Sequence, residues 1–139
     1  MEHKIQKEIP VRFSDLDALG HVNNAVYFTY MEEGRMEYFK QFPNMNFKGL
    51  PKASFILADI ACQFKSPAFL GETIVVKLCT TKIKNSSFMM EYRLEEKTSG
   101  RLVATGSSVQ VYFDYQNKKS IPLTPELKKT FEKIEEKRF

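Results

Sequence analysis

Two carboxylates, Asp15 and Asp17, stand just before a Gly20-His21-Val22-Asn23-Asn24 loop, and the loop leads into a segment with helical spacing. The order is strand, acidic turn, loop, helix. It can set a carboxylate beside the backbone N–H groups that the first turn of a helix leaves without intrahelical partners. Such groups attract negative charge and can polarise a carbonyl. A carboxylate can activate water as a base or attack an activated acyl group directly. Together these are the two parts that metal-free hydrolysis of an acyl substrate needs. Each residue also has a plainer reading. A turn aspartate bonds its own backbone, Asn23 or Asn24 caps the helix, and His21 shapes the turn.

The flanking pattern supplies the elements that must hold this run. Residues 4–13 alternate, with Ile5, Ile9, Val11 and Phe13 as the apolar positions of a first strand. The helix is expected from Asn23 or Asn24 to about residue 41, stopping before Pro43. Tyr27, Tyr30, Met31, Gly34 and Tyr38 form one apolar stripe on it, and Phe28, Phe39 and Phe42 a second, so the helix is expected to be enclosed. Residues 44–52 read as a loop, with Gly49 and Pro51 as breakers.

Four strands follow. Residues 54–65 place Ile56, Ala58, Ile60, Cys62 and Phe64 on one face. Residues 73–83 are rich in β-branched side chains. Residues 87–97 place Phe88, Met90, Tyr92 and Leu94 together, and residues 101–115 place Val103, Val109, Val111 and Phe113 together. Turns fall at Asn85-Ser86 and Thr98-Ser99-Gly100, which favours an antiparallel meander. Thr124-Pro125-Glu126 starts a last helix over about 125–137, with Leu127, Phe131 and Ile134 as its stripe. Pattern alone gives α+β in a single domain, 1–139.

The run from Val11 to Tyr27 resembles the signature of hotdog-fold acyl-CoA thioesterases of the 4-hydroxybenzoyl-CoA thioesterase type. That signature has an Arg, a D-x-D turn, a Gly-His/Val-Val-Asn-Asn loop, a Tyr, then Glu and Arg on the helix. Here these are Arg12, Asp15 and Asp17, Gly20 to Asn24, Tyr27, Glu32 and Arg35. The likeness continues through Lys65-Ser66-Pro67-Ala68 and Gly71-Glu72. It implies an antiparallel five-stranded sheet wrapped around a long central helix.

The resemblance implies that Asp17 supplies the catalytic carboxylate and that the Asn24 backbone N–H polarises the thioester carbonyl. Gly20, His21, Val22 and Asn23 would form the substrate loop, and Tyr27 would line the acyl pocket. Lys84, Asn85 and Ser86 fall at the turn where the resembled enzyme places basic residues against CoA phosphates, although only Lys84 is charged here. Asp15 reads as a turn residue bonding nearby N–H groups, and Glu32 with Arg35 as a structural i, i+3 pair. The substrate would be an acyl-CoA or an acyl carrier protein thioester. The assembly would be a homodimer or homotetramer, with no cofactor.

Composition bounds the alternatives. The chain has 139 residues, 42% hydrophobic and 27% charged, which suits one globular core. No apolar run approaches the ~18 residues of a membrane span. The first eight residues mix charges without a signal-peptide core, so a cytoplasmic location without membrane association is expected. The 21 Lys plus Arg exceed 17 Asp plus Glu by only four, and no RNP-like motif occurs, so no nucleic-acid partner is expected. No C-x-x-C or H-x-x-x-H spacing points to a metal, and Cys62 and Cys79 read as reduced core residues. A hotdog dehydratase would need a site histidine beyond His3 and His21. A non-hydrolytic acyl-thioester binding protein on the same fold remains distinguishable only by turnover.

Overall fold

The computed structural model describes residues 3–43 and 52–139; all but the last residue of the loop read at 44–52 lies outside them. Five strands, β1 (Ile5–Pro10), β2 (Ala53–Phe64), β3 (Thr73–Ile83), β4 (Ser87–Glu96) and β5 (Leu102–Asp114), form an antiparallel sheet in the order β1-β3-β4-β5-β2. A two-residue strand, β6 (Lys119–Ser120), pairs with the end of β5 and makes the sheet six-stranded rather than five-stranded. The sheet curls around α1 (Asn24–Phe39), the hotdog layout. Among the described residues β1 and β2 are its free edges.

Local sequence explains why α1 lies so close to the sheet. A Cβ on Gly34 would stand 2.8 Å from Val76 Cγ1, and one on Gly106 of β5 would stand 2.4 Å from Met31 Cε. Only glycine allows these two approaches. Beneath the helix lie Ile74, Val76 and Leu78 of β3 and, as expected, Phe88, Met90, Tyr92 and Leu94 of β4, all buried. A last helix, α2 (Pro125–Glu135), is capped by Thr124, whose hydroxyl accepts from the Leu127 N–H at 3.2 Å. It inserts Phe131 among Phe42, Phe55 and Phe88. The Glu135 carboxylate fastens its end by accepting from the Tyr38 hydroxyl at 2.6 Å and the Thr80 N–H at 2.8 Å.

Four expectations need correction. β1 ends at Pro10, and Phe13 is 81% exposed in a 3-10 turn (Phe13–Asp15), because the chain must leave the sheet to form the acidic turn. α1 ends at Phe39, with Lys40 capping it. In β2 a bulge between Leu57 and Asp59 shifts the phase. Phe55, Ile60 and Cys62 pack on the core, while Ile56 pairs with Val111 on the other face. In β5 the inward residues are Ala104, Gly106, Ser108 and Gln110, set opposite Leu94, Tyr92, Met90 and Phe88. Val109 and Val111 therefore face away. Ser108 and Gln110 tolerate burial because the Tyr92 hydroxyl bonds Ser108 Oγ at 2.6 Å, Ser108 donates to Gln110, and Gln110 Nε2 donates to the Phe88 carbonyl at 3.4 Å.

Candidate active site

The acidic turn is built around Asp15, which is 2% exposed. Its Oδ2 accepts the Arg12 backbone N–H at 2.9 Å and the Tyr30 hydroxyl at 2.8 Å; its Oδ1 accepts the Arg12 guanidinium at 2.9 Å. Burial alone would raise the pKa of Asp15, but the Arg12 and Tyr30 bonds outweigh it and hold the carboxyl below its ordinary value. Burial, joined by the same contact, pushes the Tyr30 hydroxyl up. Asp15 thus ties the turn to the second turn of α1.

The loop beyond it is closed on itself. Leu16 and Val22 form an antiparallel bridge, the Asp17 N–H donates to the His21 carbonyl at 3.0 Å, and the Asn23 N–H donates to the Asp15 carbonyl at 2.9 Å. Gly20 takes φ +85, a left-handed turn conformation, and donates to the Asp17 carbonyl at 3.1 Å. Asp17 Oδ1 accepts the Leu19 N–H at 2.8 Å, and its Oδ2 lies 3.7 Å from His21 Nδ1. The Asp17 side chain stays partly exposed, so water can reach it.

Helix α1 starts beside this loop. The Asn23 side chain caps it by accepting the Ala25 N–H at 3.0 Å. Asn24 is the first helical residue, and its N–H makes no hydrogen bond among the described residues. Asn24 also lines a cleft of about 220 Å³, together with His21, Val22, Tyr27, Phe64 and the Lys65-Ser66-Pro67 segment. Tyr27 packs edge-on against Phe64 with centroids 5.3 Å apart. The far wall is pinned by Arg101, which donates to the Glu72 carboxylate at 2.8 and 3.0 Å, to Ser66 Oγ at 3.2 Å and to the Pro67 carbonyl at 3.0 Å. The Val22 N–H donates to the Ala68 carbonyl at 2.8 Å and joins the two walls.

The fold therefore brings His21, Val22, Asn24 and Tyr27 into one cleft, with Asp17, Gly20 and Asn23 in the loop that borders it. Lys84, Asn85 and Ser86 lie elsewhere. They form the β3–β4 turn, whereas the loop joins the sheet at Pro10, opposite Thr73 at the other end of β3. Eleven residues of strand separate the two ends, roughly 30 Å. The Asn85 carbonyl accepts the Leu123 N–H at 2.8 Å, and the Ser86 carbonyl accepts the Tyr112 N–H at 2.8 Å. Phe64 and Lys65-Ser66-Pro67 line the cleft without having been assigned to it. Their signal was the short Lys65-Ser66-Pro67-Ala68 match. Among the described residues no group of three or more His, Cys, Asp or Glu side chains is placed to hold a metal, and no helix is long and apolar enough to cross a membrane.

A partly exposed carboxylate in a closed loop that borders a cleft at a helix start is an arrangement that hydrolysis of an acyl substrate can use. The sequence profile of the thioesterase-like superfamily matches residues 11–131, and the chain belongs to that family. It is 30% identical to the uncharacterized protein YsmA of Bacillus subtilis (strain 168), over 88% of this chain and 82% of that one. It is 24% identical to the long-chain acyl-CoA thioesterase FadM of Escherichia coli (strain K12), over 94% of this chain and 98% of that one. Among solved structures it superposes on a thioesterase from Thermus thermophilus complexed with coenzyme A and Zn. That match has a TM-score of 0.87 and 30% identity, over 99% of this chain and 98% of that one.

Proposed function

We propose that the protein hydrolyses an acyl-CoA thioester to the free acid and CoA in the cytoplasm, with Asp17 and the Asn24 N–H as its machinery. The observation that carries this is the unbonded N–H of Asn24, a residue that lines the cleft beside the Asp17 loop. The thioester carbonyl oxygen sits on that N–H, where the helix N-terminus stabilises the developing oxyanion. Asp17 Oδ1 is held by Leu19, which leaves Oδ2 to take a proton from water or to attack the carbonyl carbon itself. As a base it delivers hydroxide to the carbonyl carbon, and the proton it took passes to the departing thiolate as the C–S bond breaks. As a nucleophile it expels the thiolate to leave a mixed anhydride, which water then hydrolyses to the acid while its proton goes to the thiolate. The coenzyme A complex of the Thermus relative and the activity named for FadM support CoA as the carrier.

The site is completed across a subunit boundary in this reading. β2 is a twelve-residue edge strand with Leu57, Ala58, Asp59, Ala61, Gln63 and Phe64 exposed. A free edge of that length invites pairing with a second copy. Antiparallel pairing of two β2 strands about a two-fold axis sets the cleft end of one subunit against the opposite end of the other. The partner's β3–β4 turn then approaches the cleft, which gives Lys84, Asn85 and Ser86 a role toward CoA phosphates that they cannot have within one chain.

The test is Asp17→Asn, assayed by thiol release on a panel of acyl-CoAs and one acyl carrier protein thioester. Loss of about 100-fold or more is expected with the fold intact. Turnover like the wild type by the folded variant would move the chemistry elsewhere. A variant that binds as the wild type does, from a wild type that turns over nothing, would make this a binding protein.

A further inference from the structure

α1 and β2 run side by side in opposite directions. Tyr27 meets Phe64 at one end of their seam, and Phe39 meets Phe55 at the other, with centroids 5.2 Å apart. The cleft at Asn24 opens at the first end. A second cavity, of about 280 Å³, opens at the other end, walled by Glu32, Arg35, Met36, Phe39, Phe55 and Leu57. Between these two ends, Ile60 and Cys62 of β2 and Phe28 of α1 are partly buried against the core.

Arg35 stands out there. It is 7% exposed and forms no ion pair among the described residues. Its one hydrogen bond runs from Nη1 to the neutral Tyr92 hydroxyl at 3.2 Å. The i, i+3 pair with Glu32 expected from the sequence is not made, although both side chains wall the cavity. A guanidinium carries five N–H donors and a permanent charge. No fully buried side-chain nitrogen or oxygen among the described residues lacks a partner. The unbonded guanidinium N–H groups therefore keep some solvent contact, and Arg35 is among the residues that wall the cavity. A cation held this way is costly unless an anion comes to meet it.

We propose that this cavity takes the far end of the acyl chain and that Arg35 binds a carboxylate there, which makes the preferred substrates monothioesters of dicarboxylic acids. The inference rests on the acyl-thioester reading above. Eleven residues separate Asn24 and Arg35, about three helical turns, so both lie on one side of α1 about 16 Å apart along its axis. A chain of medium length spans a carbonyl on the Asn24 N–H and a carboxylate on Arg35. Tyr27 and Met31 fill the core side of the helix, which leaves the seam as the route for the chain.

The experiment compares kcat/KM for mono-CoA thioesters of diacids, from adipic to dodecanedioic, with that for unsubstituted acyl-CoAs of the same carbon count. At the fitting length the diacid is expected to be preferred by about 10- to 100-fold, the worth of a hydrogen-bonded ion pair. Arg35→Met is expected to bring the ratio to within about threefold of one. Met36→Glu, an exposed position at the cavity wall, is expected to do the same while Arg35 keeps its bond to Tyr92, so the outcome does not hang on one buried substitution. Equal or better hydrolysis of unsubstituted chains at every length would overturn the proposal while leaving the thioesterase reading intact. Should neither series be hydrolysed, the earlier reading fails. Calorimetry with the free diacids then decides this one: binding to the wild type and not to Met36→Glu supports it, and no binding to the wild type overturns it.

Discussion

Asp15→Asn probes how the acidic turn holds the loop. In the wild type, Oδ2 faces two donors, the Arg12 N–H and the buried Tyr30 hydroxyl, while Oδ1 faces the guanidinium of Arg12. An asparagine can keep its oxygen toward Tyr30 only by turning its NH2 group toward the guanidinium, donor against donor. The two bonds at Oδ2 then drop from charge-assisted to neutral, a loss of about 1 kcal/mol each. The guanidinium is largely solvated and adds little. The sum is about 2 kcal/mol, read as a shift of about 1 M in the urea midpoint.

The pH dependence carries a definite sign. The pKa of Asp15 is lower in the folded state than its ordinary value of 3.8. Its contribution is therefore full above the unfolded pKa and is lost as pH falls through the folded value. The gap between wild type and Asp15→Asn should be complete at about pH 6 and close below about pH 4. A gap of less than about 0.5 kcal/mol at neutral pH, the size of an ordinary surface substitution, would refute the reasoning. So would a gap that persists unchanged into acid.

Gly106→Val should cost about 1–3 kcal/mol by overpacking in thermal unfolding, because its Cβ would meet Met31 Cε at 2.4 Å and the Ala61 carbonyl oxygen at 2.8 Å. Thiol release should survive both exhaustive chelation and iodoacetamide. Burial pushes the Cys62 and Cys79 thiols up to about 11, so neither is a reactive thiolate at neutral pH, and chelator inhibition reversed by added metal would count against the mechanism. Light scattering should find at least a dimer, and specific activity should fall when dilution dissociates it. A fully active monomer would remove the shared-site reading.

The elements set by local pattern were legible. Alternation placed Phe88, Met90, Tyr92 and Leu94 inward correctly, and the cap residues located the start of α1 and of α2. The order of Asp17, the Gly20 turn and Asn24 was readable because it is contiguous in the chain. What failed depended on pairing with distant residues. Period-two reasoning carries one phase along a strand, so it cannot anticipate the bulge beyond Leu57 that turns Ile56 outward. It also favoured the valines of β5 over Ser108 and Gln110, whose burial is made acceptable by the Tyr92 hydroxyl and the Phe88 carbonyl on the neighbouring strand. The contact of Asp15 with Tyr30 spans fifteen residues and a change of element, and it left no local mark.

The chain of bonds from Arg35 through Tyr92 and Ser108 to Gln110 has a consequence for how the sheet assembles. Apolar faces of β4 and β5 could associate in more than one alignment, since valines occupy the outer positions of β5. A slip by one residue would carry Ser108 and Gln110 to the outside and strand the Tyr92 hydroxyl and the guanidinium in an apolar interior. The polar pair thus acts as a key that admits one alignment of the hairpin. Replacing Ser108 and Gln110 together with apolar residues of similar volume would preserve or raise melting temperature while admitting misaligned hairpins, a heterogeneity that amide spectra would reveal before any calorimeter did.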